Sequence, residues 1–99
     1  MSIISRSVAG ACEYADVSFS EIACQTKNRI IVRQRWAFWY HLVVRCDWTL
    51  PMAGRRTGHD HTTVLYGVRK HAEEALGTDA DAGLEEIRQA AQAPLEEAA

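Results

Sequence analysis

The stretch Gly58-His59-Asp60-His61-Thr62-Thr63-Val64-Leu65-Tyr66-Gly67-Val68-Arg69-Lys70 decides the fold of this chain. Asp60 is a candidate helix cap, because its carboxylate can accept hydrogen bonds from the free amides of a first turn. Val64, Leu65 and Val68 follow at the spacing of a buried helical face. The stretch therefore predicts a helix that begins after Asp60 and packs on one side.

The first turn of this predicted helix carries small polar side chains. His61, Thr62 and Thr63 directly follow the cap, at the exposed beginning of the helix. Short donors and acceptors at a helix N-terminus are what a recognition helix presents to base edges in the DNA major groove. A capped core helix with a polar first turn would have the same residues, so both interpretations stay open on this stretch alone.

A second, shorter helix precedes this one. Thr49 is a candidate N-cap, and Pro51 falls in the first turn, where its missing amide does no harm. The pattern predicts a helix over 50–56 that ends at Thr57-Gly58. Its small residues, Gly54 among them, permit another helix to approach closely. A short helix, a glycine-containing turn and a second capped helix form the outline of a helix-turn-helix.

Apolar spacing predicts two further helices before this unit. Residues 3–15 place Val8 and Cys12 on one stripe, and Ser18-Phe19-Ser20-Glu21 has the spacing of a capping box at the start of a second short helix. The polar link over 25–29 is interpreted as an ordinary loop. An arm that reaches into a DNA groove is the alternative.

Residues 30–46 form the longest apolar segment. Their β-branched and aromatic content suits a strand, but their length without turn residues favours a helix. Phe38, Trp39 and Tyr40 point in different directions on a helix, which predicts that this helix is central and nearly enclosed. Aromatic side chains beside arginines can also stack single-stranded bases, although the spacing fits a core better. The chain is thus expected to be all-α.

Charge is distributed unevenly along the chain. The formal net charge is −2, but residues 27–71 carry nine basic side chains and two acidic ones, a net charge of +7. Residues 72–99 carry one arginine and eight acidic side chains, a net charge of −7. Clustered Lys and Arg are typical of phosphate binding, although a charged run can also be a solvated face. The basic segment contains the candidate recognition helix.

Length and composition limit the class of protein. Ninety-nine residues suffice for one small domain. No apolar run approaches the ~20 residues of a membrane span, and the first residues lack the basic-then-apolar pattern of a signal peptide. The three cysteines are odd in number and lack a Cys-x-x-Cys spacing, which is typical of reduced thiols in a cytosolic protein. We therefore expect a cytoplasmic protein without membrane contact.

Catalytic and metal-binding chemistry is disfavoured. Asp60, His61 and Thr62 are consecutive at a helix start, so they cannot converge as base, nucleophile and oxyanion donor. The histidines and cysteines match no standard zinc-ligand spacing; those considered are His41, Cys46, His59, His61 and His71. The sequence predicts no enzyme activity, no metal, no cofactor and no small-molecule substrate.

These motifs together resemble a known family. The segment from Lys27 to Lys70 looks like the C-terminal DNA-binding domain (domain IV) of the bacterial replication initiator DnaA. The family signature reads Gly-Gly-Arg-Asp-His-Thr-Thr-Val-Leu-His-Ala, and this chain has Gly-His-Asp-His-Thr-Thr-Val-Leu-Tyr-Gly over 58–67. The family's Ser-Leu-Pro-Glu-Ile-Gly-Arg is matched by Thr-Leu-Pro-Met-Ala-Gly-Arg over 49–55. The resemblance implies a helix-turn-helix that binds double-stranded DNA as a monomer.

The resemblance also implies roles for individual residues. In the family an arginine of the basic loop enters the minor groove, and Lys27 occupies that position. The residues expected at bases are Lys27, Asp60, His61 and Thr62. The residues expected at the phosphate backbone are Arg29, Arg33, Arg35, Pro51, Arg55, Arg56, His59, Thr63 and Lys70.

Three departures from the family pattern affect sequence preference. His59 replaces the signature arginine, and Lys27 replaces the arginine of the minor groove. The turn is one residue shorter, with Thr57 where a buried phenylalanine is common. The resemblance therefore implies the mode of binding, and the family's preferred DNA site does not carry over.

The chain contains no Gly-x-x-x-x-Gly-Lys-Ser/Thr loop, so the ATPase module of DnaA is not expected here. DnaA-like domains without that module resemble phage or phage-derived regulators, including activators of gene transfer agents. We therefore expect a nucleoid-associated transcriptional regulator, an activator of phage-like genes. The alternatives are a replication accessory that competes for initiator sites and a protein-interaction adaptor that does not bind DNA.

The acidic C-terminal part is interpreted as a separate piece. We expect a DNA-binding domain over 1–76 and an Ala- and Glu-rich helix or tail over 77–99, which Pro94 ends or kinks. Its apolar residues recur at helical spacing within 79–95. Such a stripe belongs to a solubilising helix or docks a protein partner, for example an RNA polymerase subunit or a co-regulator.

Overall fold

A computed structural model describes residues 6–23 and 28–92. Within these ranges the chain is all-α, as predicted, with six α-helices and one π-helical turn. The elements are α1 (Arg6–Ala15), α2 (Phe19–Ala23), α3 (Arg29–Tyr40), the π-turn (His41–Arg45), α4 (Leu50–Thr57), α5 (His61–Leu76) and α6 (Leu84–Ala91). No helix in the described part of the chain is long and apolar enough to cross a membrane.

Local side-chain capping starts several of these helices. The Ser18 amide donates to Glu21 Oε1 at 3.3 Å and the Glu21 amide donates to Ser18 Oγ at 3.4 Å, which confirms the predicted capping box at α2. Asn28 Oδ1 accepts the amides of Ile30 and Ile31 at 2.9 and 3.3 Å and thereby begins α3. Each cap satisfies donors that a helix N-terminus leaves without a partner.

The predicted central helix over 30–46 consists of α3 followed by the π-turn. Phe38, Trp39 and Tyr40 at the end of α3 are almost fully buried, as predicted, but the N-terminal half of the helix lies at the surface, where Ile30 is 68% exposed. The change to wider π geometry occurs at His41, where the helix leaves the α pattern, and Asp47 then reverses the backbone with a φ of 61°. The aromatic side chains of α3 form the middle of the core.

The helix-turn-helix consists of α4 and α5. Thr49 Oγ1 accepts the amide of Met52 at 3.3 Å, which confirms Thr49 as the N-cap of α4, and Pro51 lies in the first turn. α4 ends at Gly58, whose φ of 75° is the left-handed conformation that glycine adopts without strain. Asp60, two residues after Gly58, is the N-cap of α5.

Gly54 lets the turn fold tightly against α4. A Cβ atom at Gly54 would collide with the carbonyl oxygen of His59. The His59 amide donates to the Gly54 carbonyl at 2.8 Å, so the two backbones are in direct contact. The small side chain at Gly54 therefore permits a close approach, but it is the turn that approaches α4 here and not the second helix that the sequence predicted.

Thr57 fills the buried position at the end of α4. Its hydroxyl donates to the Ala53 carbonyl at 2.9 Å and accepts a hydrogen bond from Trp39 Nε1 at 3.2 Å. Both polar groups are buried, and each satisfies the other. The end of α4 is therefore joined to the Trp39 indole of α3 by a buried hydrogen bond.

The first half of the acidic C-terminal segment packs on the domain. α5 ends at Gly77, and the chain then returns so that Ala82 and Ile87 are 2% and 0% exposed. Arg69 Nε donates to the Ala82 carbonyl at 3.0 Å, and Arg88 donates to the carbonyl of Val43 in the π-turn at 3.1 Å. The predicted kink at Pro94 lies outside the described residues. The division of the chain at residue 77 stays a prediction.

Candidate nucleic-acid interface

The Asp60 carboxylate organises the start of α5. It accepts the Thr62 amide at 3.1 Å, the Thr62 hydroxyl at 2.9 Å and the Thr63 hydroxyl at 3.5 Å. These hydrogen bonds, the Thr62 amide first, lower the pKa of Asp60 below its ordinary value. The carboxylate is therefore ionised at neutral pH and holds the two threonines in place, which confirms Asp60 as the N-cap.

Three of the predicted base-reading side chains, Asp60, His61 and Thr62, lie together at this end of the helix, and Thr63, predicted at the backbone, follows them. His61, Thr62 and Thr63 are all exposed, and His61 Nδ1 lies 3.8 Å from Asp60 Oδ1. The Thr62 hydroxyl donates to the Asp60 carboxylate, which leaves the oxygen of that hydroxyl free to accept a further hydrogen bond. The turn thus presents an imidazole, a carboxylate and hydroxyl groups in one small surface.

A basic groove between α3 and α5 lies along the same helix. It is lined by Arg29, Val32, Arg33, Trp36, Lys70 and Glu74. Arg33 Nη2 lies 2.7 Å from Glu74 Oε2, and Lys70 Nζ lies 3.6 Å from Glu73 Oε1. All four side chains remain partly exposed, so these are surface ion pairs of the kind that a phosphate group can displace.

The basic residues of α4, Arg55 and Arg56, differ in exposure. Arg55 is exposed, and the Arg56 guanidinium lies 5.3 Å from the centre of the Phe19 ring in α2. Pro51 is exposed at the start of the same helix. α4 therefore presents its N-terminus and Arg55 to solvent, whereas Arg56 is half-buried over Phe19.

Arg35 and His59 are placed differently from the other residues expected at phosphates. Arg35 is 6% exposed, and its Nε donates to the Ile22 carbonyl at 3.2 Å, which ties α3 to α2. His59 Nδ1 donates to the Thr57 carbonyl at 2.9 Å, and its ring packs edge-on against Trp39 with 5.2 Å between centroids. Both side chains therefore make contacts within the domain. Arg35 connects α3 to α2, and His59 connects the turn to α3.

Lys27, the residue expected in the minor groove, lies outside the described residues. Arg29, at the first position of α3, is exposed and lies in the groove described above. The structure therefore brings Arg29, Arg33 and Lys70 together in one groove, and Lys70 lies about two turns along α5 from the turn that carries His61 and Thr62. It separates these from the inward-facing Arg35.

Tyr66 is a surface residue that the sequence analysis did not single out. It is 56% exposed, one turn beyond Thr62, and its ring packs edge-on against Trp36. The four-residue spacing from Thr62 to Tyr66 to Lys70 is the signal in the sequence that places all three on one helix face.

The described residues contain no group of three His, Cys, Asp or Glu side chains arranged to hold a metal ion.

Burial lowers the pKa values of three histidines. Desolvation is the main cause at His41, His59 and His71; Arg45 lowers the pKa of His41 further, and Arg35 that of His59. His71 Nε2 also forms a 2.8 Å hydrogen bond with the Tyr14 hydroxyl, in which either group can be the donor. The folded domain therefore favours the neutral forms of these rings.

Stability should fall as the solution becomes acidic. A histidine whose pKa is lower in the folded state is neutral in both states well above about pH 6.5. At such pH values these histidines do not reduce the free energy of unfolding. As the pH falls below that value, the unfolded chain gains protons that the folded chain does not, and the free energy of unfolding decreases. Thermal melting between about pH 7.5 and 5 should show a steady decrease in Tm. A Tm that rises as the pH is lowered from about 7.5 to 5 would contradict the prediction that these rings are neutral in the folded domain.

The fold and this surface define a class, namely a helix-turn-helix domain with a polar first turn on its second helix and a basic groove beside it. Comparison with known proteins identifies a specific family resemblance within that class. The chain is similar to the chromosomal replication initiator protein DnaA of Jannaschia sp. (strain CCS1), with 38% identity over 69 residues, which is 69% of this chain and 14% of the relative.

Two further relatives carry the same name. The DnaA protein of Mesorhizobium japonicum is 42% identical over 65 residues, 65% of this chain and 13% of the relative. That of Cereibacter sphaeroides is 38% identical over 77 residues, 77% of this chain and 16% of the relative. No family model and no solved structure matches. The resemblance to the DnaA C-terminal domain is confirmed, and the chain spans 13–16% of the length of these relatives.

Proposed function

We propose that this domain binds double-stranded DNA with sequence specificity, with the N-terminal turn of α5 in the major groove. The observation that carries the proposal is the Asp60 cap, which holds Thr62 and Thr63 in place at an exposed helix start beside a basic groove. A recognition helix needs both features, since base edges are read by fixed short side chains and phosphates are bound by cations. The names of the relatives, replication initiators, support the same proposal.

The proposal divides the surface into two parts. His61 and Thr62, with the Asp60 carboxylate, would read base edges. Arg33 and Lys70 would exchange their ion pairs with Glu74 and Glu73 for phosphate oxygens. Because phosphate contacts carry no sequence information, the two parts should respond differently to mutation. Lys27 in the minor groove and the α4 residues Pro51, Arg55 and Arg56 at the backbone complete the proposed contact surface.

Transcriptional regulation is our preferred role for this binding. A helix-turn-helix domain with an exposed polar first turn and a basic groove acts by occupying sites on DNA. A second role, as a replication accessory that competes for initiator sites, is favoured by the shared Asp-His-Thr-Thr at the start of α5. Mapping of occupied sites in cells separates the roles, because an accessory would occupy the replication origin and a regulator would occupy promoters.

Two substitutions test the division between reading and positioning. His61→Ala should weaken binding to duplexes selected from a random pool by about 1–3 kcal/mol and have much less effect on random DNA, so discrimination decreases. Lys70→Ala should weaken binding to both kinds of DNA by a similar factor and reduce the slope of log K against log salt by about 0.9. Fluorescence anisotropy at several salt concentrations measures both effects. Both side chains are at least one-third exposed, so the variants should melt like the parent.

The outcomes separate the proposed function from its alternatives. Equal losses on selected and random DNA in His61→Ala would show that α5 does not read the sequence. An unmutated chain that binds duplexes weakly and without salt dependence would instead indicate an adaptor, because phosphate contacts make binding strongly salt-dependent.

A further inference from the structure

Tyr66 lies in the middle of the exposed face of α5. It follows Thr62 by four residues and precedes Lys70 by four, so the three side chains form one row along the helix. The buried residues Val64 and Val68 lie on the opposite side. A single exposed tyrosine is ordinary on a protein surface, and its position in this row is what distinguishes Tyr66.

The Tyr66 ring is held against the domain. It packs edge-on against Trp36, with 5.9 Å between centroids and 77° between planes. Trp36 in turn lies against Gly67, where a Cβ atom would be 2.7 Å from Trp36 Cδ1. The glycine thus lets α3 approach α5 closely, and the tryptophan gives the tyrosine a fixed neighbour. A side chain ordered in this way loses less conformational freedom on binding than a free one.

The Tyr66 ring lies at the border of the basic groove. It packs against Trp36, and Trp36 lines the groove that also contains Arg29, Arg33 and Lys70. Among the described residues this hydroxyl makes no hydrogen bond, and more than half of the residue is exposed. A tyrosine hydroxyl is one of the groups that donate to phosphate oxygens in protein–DNA interfaces. Anion binding in this groove would therefore have a neutral donor ready beside its cations.

We propose that the Tyr66 hydroxyl donates a hydrogen bond to a backbone phosphate of duplex DNA, next to the phosphates bound by Arg33 and Lys70. The contact lies one turn along α5 from His61 and Thr62, so it fixes how the helix lies in the major groove. Tyr66 is a positioning residue that carries no sequence information. This inference rests on the proposed DNA binding and adds a contact to it.

Tyr66→Phe tests the proposal, because it removes the hydroxyl and keeps the ring against Trp36. The dissociation constants for random and selected duplexes should both increase by roughly tenfold, since a hydrogen bond to a charged group is lost. The slope of log K against log salt should stay unchanged, because a neutral donor releases no counterion. Melting of the free protein should also be unchanged.

Tyr14→Phe is the matched control. Tyr14 is 43% exposed, and its hydroxyl binds His71 on another side of α5, so its removal should leave DNA affinity unchanged. Ethylation interference on a selected duplex supplies a second measurement. One phosphate should be sensitive to ethylation with the unmutated chain and insensitive with Tyr66→Phe.

Two outcomes would overturn the inference. If Tyr66→Phe and the unmutated chain bind with equal affinity, the hydroxyl makes no contact. If affinity falls on selected duplexes alone, Tyr66 reads a base and the phosphate assignment is wrong. Failure of the unmutated chain to bind any duplex would be a different result, because it would contradict the proposed function itself.

Discussion

Gly54→Ala is expected to lower the free energy of unfolding by roughly 2–3 kcal/mol, which for a domain of this size is about 10 °C or more in Tm. The added Cβ would collide with the His59 carbonyl oxygen, a backbone atom that cannot rotate away. Either the turn moves or α4 does, and the hydrogen bond from the His59 amide to the Gly54 carbonyl lengthens. The cost exceeds the gain of about 1 kcal/mol that alanine normally brings to a helix interior.

The same substitution should impair the proposed interface. Asp60 follows the displaced residue directly, so its hydrogen bonds to Thr62 and Thr63 would shift with the turn. We expect discrimination between selected and random duplexes to decrease even at temperatures where the variant is folded. Thermal melting and duplex-binding measurements on the same preparation test both effects.

Gly10→Ala is the matched control for Gly54→Ala. Gly10 also lies within a helix, α1, and a Cβ there would meet His41 Nε2 at 3.4 Å, an ordinary contact. This variant should melt at the parental temperature or above it, because alanine is the better helix former. A Gly54→Ala variant that melts like Gly10→Ala would show that the turn does not need the close approach.

Ile87→Ala is expected to cost about 2–5 kcal/mol, the usual range for removal of a buried aliphatic side chain. Ile87 is fully buried within the core although it belongs to the acidic C-terminal segment. Small domains are stable by about 5–15 kcal/mol in total, so one such substitution removes a large part of that stability. Denaturant unfolding followed by tryptophan fluorescence measures the change.

Glu86→Ala is the control, because Glu86 is the exposed neighbour of Ile87 on α6 and its loss should change stability by less than about 0.5 kcal/mol. A chain that ends at Gly77 would lose Ile87, Ala82 and the hydrogen bond from Arg69 to the Ala82 carbonyl together. We expect that truncated chain to be less stable than Ile87→Ala. Equal unfolding midpoints for Ile87→Ala and the parent would instead support a separate tail from residue 77.

The sequence by itself determined the helices and their caps. Ser18, Thr49 and Asp60 cap helices through hydrogen bonds to amides two or three residues away, and Gly58 ends α4 with a local conformation. Such interactions depend on a few consecutive residues, so their spacing in the sequence is sufficient to predict them. The burial of Phe38, Trp39 and Tyr40 was also predictable, since three consecutive aromatic side chains point in different directions on a helix and each needs a packing partner.

Family resemblance extended the prediction to the mode of binding. The Asp-His-Thr-Thr motif predicted which helix presents its first turn, and the structure places that turn at the surface beside basic residues. The basic segment also contained residues that do not belong to this surface. The net charge over 27–71 counts every basic residue equally, whether its side chain faces solvent or the interior.

Tertiary structure decided the remaining features. Arg35 is inside because α2 offers it the Ile22 carbonyl, and His59 faces inward because Trp39 and the Thr57 carbonyl lie beside it. Ile87 is buried because the chain returns from Gly77 to the π-turn. Each of these positions depends on partners distant in sequence, and the residues next to each side chain in the sequence do not indicate which partners it will have. Local hydrogen bonds thus determine where helices begin and end, whereas burial of a given side chain is determined when the helices pack.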